Sequence, residues 1–497
     1  MKGMKGMTGM TGMTGMTGMT GMTGMKLAMI ALVGGCTVLR PVIVDPPRAP
    51  RAFATSFAGA DDPPHGPAAP LTNEPVWWNA FADPVLDSAI QEAFRDNYFI
   101  RDTRGLIYEN QLDPATPQAW WWPLQFGILN PAGFQHQVVD VPPVPVAQYK
   151  WNLENVDLAA TYQLDLFGNL DALHRAGMNL AEQQRQLTEA HVQDLAVQIA
   201  QAWFDILEAR ALRELTQTQI KYNQELYELV SSRFEQHLTP RLVVLQQQQL
   251  LLNLQSQLPL IDARIGLLNS QLHAYLGRMP SPADDIVPRE RQLPDVPPAP
   301  NIGTPNDLDA NTPEMRLAKL RVAEVQHRIN ANLASWLPQV QLIGSVGVAT
   351  IGDSQPLLRE ENVGVTLTWV MFDGKKYTER QQLPMQLHRR EIQYELALQT
   401  AVGRVQDAVI RENNQATSLK SLREQVELGR HVLEEARRLF EEGQSDYLPV
   451  LTALNSLVDL ERAGLQAQRL LLNDRVELYR SLGGTWSYDV TLLRESE

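Results

Sequence analysis

Arg233-Phe-Glu-Gln-His-Leu-Thr239-Pro-Arg-Leu242-Val-Val-Leu245 and Leu439-Phe-Glu-Glu-Gly-Gln-Ser445-Asp-Tyr-Leu448-Pro-Val-Leu451 are two versions of one stretch. The offset of 206 that carries Leu242 to Leu448 also carries Leu276-Gly277 to Leu482-Gly483 and Leu166-Phe-Gly168 to Phe372-Asp-Gly374. A constant offset over so long a span predicts two copies of one structural unit, with gene duplication as the economical explanation. Each copy should contain a turn between two helices. Thr239 and Ser445 precede the apolar run of the returning helix, as hydroxyl N-caps would.

Outward from these turns the spacing is helical. Val192, Leu195, Ala196, Ile199, Trp203, Ile206 and Leu207 recur at steps of three and four, as do Leu250, Leu254, Leu258 and Ile261. A helix filling most of the stretch from Gly168 to Phe234 approaches ~100 Å, a rod rather than a globular helix. The returning helices, 240–276 and 446–482, reach only ~55 Å, so the periodic stretch Pro313–Trp336 is expected to be stacked end to end to complete a pair. Between the halves lies a Pro-rich linker, 278–312, expected to wrap the outside.

Nearer the start of each half the period changes to two. Val156, Leu158, Ala160, Tyr162, Leu164 and Leu166 alternate with Asp157, Ala159, Thr161, Gln163 and Asp165. Val363, Val365, Leu367, Trp369 and Met371 stand opposite Gly364, Thr366, Thr368 and Val370. Shorter alternating runs follow Pro338 (Val340, Leu342, Gly344, Val346) and Pro123 (Leu124, Phe126, Ile128). This predicts four strands with one apolar face, near the length a tilted membrane strand needs except for a short run at 124–129. Trp120–Trp122, Trp151, Trp336 and Trp369 lie in or beside them, as interfacial aromatics would. A soluble sandwich carries the same alternation and the pattern alone favours it; what tips the balance is the helical rods together with the N-terminus.

Residues 1–25 are a Gly-Met-Thr tract, followed by the apolar Leu27-Ala-Met-Ile-Ala-Leu-Val33 and then Gly34-Gly35-Cys36. The apolar run is far short of the ~18 residues of a membrane helix. It reads as a signal-peptide core, with Cys36 in a lipobox that would make it an acylated first residue. The alternative is an ordinary cysteine. With four strands in lipid per chain, the open edges must be covered, which predicts oligomerisation: three copies give twelve strands, whereas two give a barrel filled by side chains.

Composition excludes several activities. Among the 497 residues, 43 Lys+Arg stand against 57 Asp+Glu, giving −14, and there is no basic cluster, so a nucleic-acid partner is not expected. One cysteine permits no intramolecular disulfide and no Cys-based zinc site, and no two of the nine histidines lie three to five residues apart. No metal, cofactor or catalytic residue is expected, because no Gly-x-Ser-x-Gly, Gly-x4-Gly-Lys-Ser/Thr or His-Glu-x2-His pattern occurs.

Five short motifs resemble those of one family. They are Trp77-Trp78-Asn-Ala-Phe81-Ala-Asp83-Pro84-Val-Leu86, Gln163-Leu-Asp165-Leu-Phe-Gly168, Phe372-Asp-Gly374, Gly443-x3-Tyr447-Leu448-x-Val450-Leu451 and Leu478-Tyr-Arg-Ser-Leu482-Gly-Gly-x-Trp486. Together they resemble the outer-membrane efflux proteins, TolC-like in fold, and within them the lipoprotein branch of NodT type. The resemblance implies a mixed α + β membrane protein: a trimeric, twelve-stranded outer-membrane β-barrel continued by a long α-helical periplasmic barrel. It further implies a passive, non-enzymatic duct for small molecules and drugs, lipid-anchored in the outer membrane. Its partners would be itself as a homotrimer, outer-membrane lipid, a periplasmic adaptor and a proton-driven inner-membrane transporter. The alternatives are the duct of a type I protein secretion system and a coiled-coil scaffold lipoprotein. The expected organisation is 1–35 signal peptide, 36–76 lipidated extension, 77–277 first repeat, 278–312 linker, 313–483 second repeat and 484–497 tail. The chain departs from the family over 98–150, which is rich in Pro and Trp, and at the periplasmic constriction, where Pro449 and Thr452 replace an acid and Asp446 is the nearest carboxylate.

Four groups of site residues follow. Cys36 is the lipidation site. Val156, Leu158, Tyr162, Leu164, Val363, Val365, Leu367 and Trp369 form the lipid-facing strand surface. Gln236, His237, Gly443 and Gln444 are the adaptor-docking tips, Gly443 supplying either a left-handed terminus or a plain C-cap. Arg233, Arg241, Glu441, Glu442 and Asp446 are the aperture: opposite charges at equivalent tips, read either as a latch of exposed pairs worth ~0.2–1 kcal/mol each or as solvated turn charges.

Overall fold

A computed structural model describes residues 52–54, 76–112, 124–139, 149–282, 284–351 and 358–483. Cys36, the N-terminal tract and the tail beyond Gly483 lie outside the described residues. The chain forms two compact units, one from Trp121–Ala172 and Arg328–Arg380 with the sheet, the other from Asp45–Trp120, Leu173–His327 and Gln381–Glu497.

In chain order, a 3-10 turn at Trp77–Phe81 leads into α1 (Pro84–Asp96), α2 (Tyr98–Leu112), β1 (Leu124–Val139), β2 (Tyr149–Leu164), α3 (Asn169–Glu235), α4 (Arg241–Tyr275), α5 (Pro305–Asn311), α6 (Pro313–Ala334), β3 (Gln339–Ile351), β4 (Leu358–Thr368), α7 (Gly374–Glu441) and α8 (Leu448–Ser481). The 67 residues of α3 and 68 of α7 are each ~100 Å of helix.

The sheet unit holds one antiparallel sheet in the order β1-β2-β3-β4. β1 is longer than the run at 124–129 suggests: it has 16 residues and crosses Asn130-Pro131 by a register shift between Leu129 and Gly133. Proline lacks the N–H a ladder needs, and an irregularity is where a strand can hold one. β2 begins seven residues before Val156, at Tyr149. β4 ends at Thr368, so Trp369 and Met371 are not strand residues. Trp369 instead donates its indole N–H to the Trp336 carbonyl at 3.1 Å. Where strands give way to long helices, aspartates accept the first helical amides: Asp165 from Asp171 N (2.8 Å) and Asp373 from Lys375 N (2.8 Å).

In the helical unit the opening tryptophan motif is a core plug. Trp77, Trp78, Phe81, Leu86, Ile90 and Phe94 pack with Trp203, Phe204, Leu272, Leu276, Val476 and Tyr479. Trp77 stacks on Tyr479 with centroids 5.8 Å apart. Asp83 caps α1 by accepting from Val85 N at 3.1 Å and also accepts the Trp203 indole N–H at 3.1 Å, which joins cap and core in one side chain.

The C-termini of the returning helices meet the starts of other helices. Gly277, φ +75°, lies so close to the α1–α2 junction that a Cβ would stand 2.3 Å from Asp96 O. Gly483, φ +84°, lies likewise beside the α5–α6 junction, its Cβ position 2.8 Å from Asn311 O. Asn97 fixes the first contact, donating to Tyr275 O at 2.8 Å and accepting from Phe99 N at 2.9 Å. The C-termini of α4 and α8 thus abut the starts of α2 and α6, the glycines being 206 apart. The linker after Gly277 is tied down by arginines: Arg210 donates to Val287 O (2.9 Å) and Pro288 O (3.1 Å), and Arg475, paired with buried Glu412, donates to Pro297 O and Pro298 O.

The hydroxyl caps expected at the turns are not made. The N-cap positions are Pro240 and Tyr447, neither with a side-chain cap bond, and Ser445 Oγ donates to Asp446 O. Both turns close instead by helix C-terminal geometry. Gly443 (φ +75°) donates to Phe440 O and Gln444 N to Leu439 O; His237 (φ 62°) donates to Phe234 O and Leu238 N to Arg233 O. The two αL residues are again 206 apart.

Candidate functional site

The sheet presents two chemically different faces. Cross-strand rows run Leu124–Tyr162–Leu342–Val365 and Phe126–Ala160–Gly344–Val363, with Leu164–Val340–Leu367 beside them. On this face Leu158 is 61% exposed, Val363 95% and Val365 68%, while Ala159 on the reverse is 4% exposed. Rows of the reverse face are polar or small: Gln125–Thr161–Ile343–Gly364 and Gly127–Ala159–Ser345–Asn362, Ile343 being the exception. A bond from Gln163 Nε2 to Gln339 Oε1 at 2.9 Å adds to the polar side. On β4 the apolar face gives way to Glu361 and Arg359, which form an ion pair. Of the strand residues singled out from sequence, Leu158, Tyr162, Leu164, Val363, Val365 and Leu367 share this face; Val156 falls in register with it, opposite Val348, and Trp369 lies past the end of β4. β1 and β4 each have one edge without a partner among the described strands.

The second candidate site is the pair of tips. Gln236, His237, Gly443 and Gln444 are all exposed. Behind them lies an apolar cluster of Leu226, Val230, Leu433, Phe440, Tyr447, Val450 and Leu454. Through it runs a buried polar chain that sequence reading did not find. The Tyr447 hydroxyl donates to Gln247 Oε1; Gln247 Nε2 donates to Asn223 O and Oδ1, both at 3.0 Å; Asn223 Nδ2 donates to Gln219 O at 2.7 Å. Burial pushes the Tyr447 phenol above its ordinary pKa, so it stays a donor. The chain ties the start of α8 to α4 and α3. Its one sequence signal is a run of glutamines, Gln246–Gln249, in which only Gln247 is buried.

Within one chain the charges at the tips make contacts of their own. Arg233 donates to Phe440 O (2.8 Å) and Glu441 O (3.0 Å) and lies 4.5 Å from the Phe440 ring centroid. It therefore caps the C-terminus of α7, where free carbonyls and the helix dipole favour a cation. Glu441 and Glu442 pair within their own helix, with Arg437 at 2.7 Å and Arg438 at 2.8 Å. Arg241 and Asp446 are exposed and have no side-chain partner within the chain among the described residues. Of the five aperture residues, three are thus committed to other contacts. Among the described residues no group of three or more potential metal ligands occurs, and no helix is long and apolar enough to cross a membrane.

The outer membrane efflux protein family model matches residues 150–278 and 304–484. The chain belongs to that family. It is 24% identical to the toluene efflux pump outer membrane protein TtgF of Pseudomonas putida over 93% of this chain and 96% of that one. It is 21% identical to nodulation protein T of Rhizobium leguminosarum bv. trifolii, covering 77% and 82%. Its fold resembles the solved outer-membrane channel OprN, with a TM-score of 0.74 at 22% identity, covering 90% of this chain and 99% of that one.

Proposed function

We propose that this chain is the outer-membrane channel of a tripartite efflux pump, a passive duct for small molecules. The observation that carries this reading is the two-faced sheet: an exposed apolar face, a polar reverse and two edges unpaired among the described strands. Water does not reward such a face, whereas lipid does, and lipid in turn forbids open edges. From Val340 to Val348 the apolar rows extend ~26 Å along β3, close to the height of a barrel's apolar band, with charges at one end and Trp336 and Trp369 near the other. Three copies close twelve strands around the polar face, which becomes the lumen.

The shared offset of 206 in helix ends, αL residues and packed glycines supports duplication of one ancestral half. Exposed tips at the ends of α3 and α7 suit docking of a periplasmic adaptor, through Gln236, His237, Gly443 and Gln444. Arg241 and Asp446, free within the chain, are the aperture charges available to a neighbouring copy. Names of relatives, a toluene pump component among them, support a small-molecule cargo driven by an inner-membrane transporter, and Cys36 is the acylation site that anchors the mature chain.

The reading is tested by charge placement. Leu158→Arg sets a cation on the apolar face at a cost of ~2–4 kcal/mol near the bilayer midplane, whereas Gln163→Arg faces the lumen and is tolerated. SDS-resistant trimers in outer-membrane fractions should fall sharply for the first and persist for the second. Equal yields would reject the assigned faces.

A further inference from the structure

Arg321 on α6 has no hydrogen-bond or ion-pair partner among the described residues, and it lines a cavity of about 600 Å³ within the helical unit. Four arginines and two glutamates line this cleft. Arg404 is paired with Glu314 at 3.2 Å, and Arg480 with Glu477 at 3.1 Å and with Asp194 at 2.7 Å, so both are neutralised. That leaves Arg321 and Arg390, and among the described residues Arg390 has only a neutral partner, the Gln393 amide oxygen at 2.8 Å. Burial, and then repulsion from Arg390, hold the Arg321 guanidinium below its usual pKa range.

Two cations turned into one half-buried cleft oppose each other unless something negative lies between them. The cleft cannot hold a metal cation for the same reason. Its remaining wall is apolar, formed by Leu396, Ala397 and Ala401 of α7. Gln183, which also lines it, donates its amide to Leu320 O, so the charged donors left for an occupant are the two guanidiniums. Guanidinium forks match a carboxylate in shape and charge, and the volume is that of an ordinary small-ligand site.

We propose that this cleft binds a small organic anion, a carboxylate with an apolar body, its acid group between Arg321 and Arg390 and its body against Leu396, Ala397 and Ala401. None of its lining residues belongs to the sheet or to the tips, so it stands or falls independently of the channel reading. Full-length protein in a neutral maltoside detergent would be titrated calorimetrically with benzoate, with benzyl alcohol as the uncharged probe and inorganic phosphate as the anion without an apolar body. The expected result is about one benzoate per chain, no binding of benzyl alcohol, weaker binding of phosphate, and at least roughly tenfold weaker benzoate binding in Arg321→Gln and in Arg390→Gln. Arg321→Lys, which keeps charge and bulk but loses the fork, guards against a folding defect: it should bind benzoate several-fold more weakly with an unchanged circular dichroism melt. Absence of benzoate binding would overturn the proposal. So would affinity unaffected by both Arg→Gln changes, or phosphate binding as tightly as benzoate.

Discussion

Tyr447→Phe removes one oxygen and nothing else from the apolar cluster behind the tips. The ring keeps its edge-to-face contact with Phe440, centroids 5.2 Å apart, so no cavity opens. What changes is Gln247, which is fully buried like Asn223 and loses the only donor to its side-chain oxygen among the described residues. Water cannot replace that donor without opening the cluster, so the loss should cost ~1–3 kcal/mol rather than the smaller net worth of an exposed hydrogen bond. Because the hydroxyl ties the start of α8 to α4, the cost falls on local opening of this end of the helical unit. Hydrogen exchange of peptides covering Tyr447–Leu454 should therefore quicken about 5–150-fold. Peptides around Trp203, in a separate cluster, should not change. Gln247→Met added to Tyr447→Phe should not restore protection, because it takes the Gln247 Nε2 donor from the buried Asn223 Oδ1. Exchange within twofold of wild type in the single variant would refute the claim that this network holds the tip together.

The packed glycines should differ in a defined order. Gly277→Ala forces a Cβ to 2.3 Å from Asp96 O and should abolish the stable fold, Gly483→Ala (2.8 Å from Asn311 O) should weaken it, and Gly443→Ala, with the same positive φ but open space, should cost only ~1–2 kcal/mol; thermal unfolding midpoints check this. Burial holds the Glu208 carboxyl above its ordinary 4.5 despite Arg264 at 2.8 Å. The folded state therefore binds this proton more tightly than the unfolded one, and the group's penalty is absent below pH ~4.5 and develops as pH rises through the elevated pKa. The melting midpoint of Glu208→Gln minus that of wild type should thus grow from pH 4.5 upward and then level off, and a difference flat with pH would contradict it.

Much of this architecture is legible in the chain because it rests on periodicity. The long helices end within a residue or two of the bounds set by the repeated turn and glycine motifs, and the alternation of β2 to β4 places Leu158, Val363 and Val365 on one face. β1 was less legible because Pro131 and Gly133 interrupt its pattern, and only pairing with β2 carries the strand across them. The αL position at the first turn carries His237 where its counterpart is Gly443, so composition gives no hint of a shared backbone geometry. Long-range partners were hidden altogether. Nothing in a sequence brings Gln247 to Tyr447, 200 residues away, or directs Arg233 to carbonyls rather than to the neighbouring carboxylates. The opposite charges at the tips suggested a latch because sign is visible in a sequence, whereas the i,i+4 partners Arg437 and Arg438 satisfy Glu441 and Glu442 locally.

Closure of the sheet through its two free edges is the central claim, and cysteine cross-linking tests it most directly. With Cys36 as the one native cysteine, single cysteines at Gln125 or Gly127 on β1 would be combined with single cysteines at Gly364 or Thr366 on β4, all on the polar face. Oxidation in outer membranes, followed by non-reducing denaturing electrophoresis, should give dimers and trimers for at least one pair and nothing larger, because each β4 meets the β1 of the next copy and the ring closes at three. A ladder continuing beyond trimer, or no covalent species from any pair, would contradict the twelve-stranded barrel.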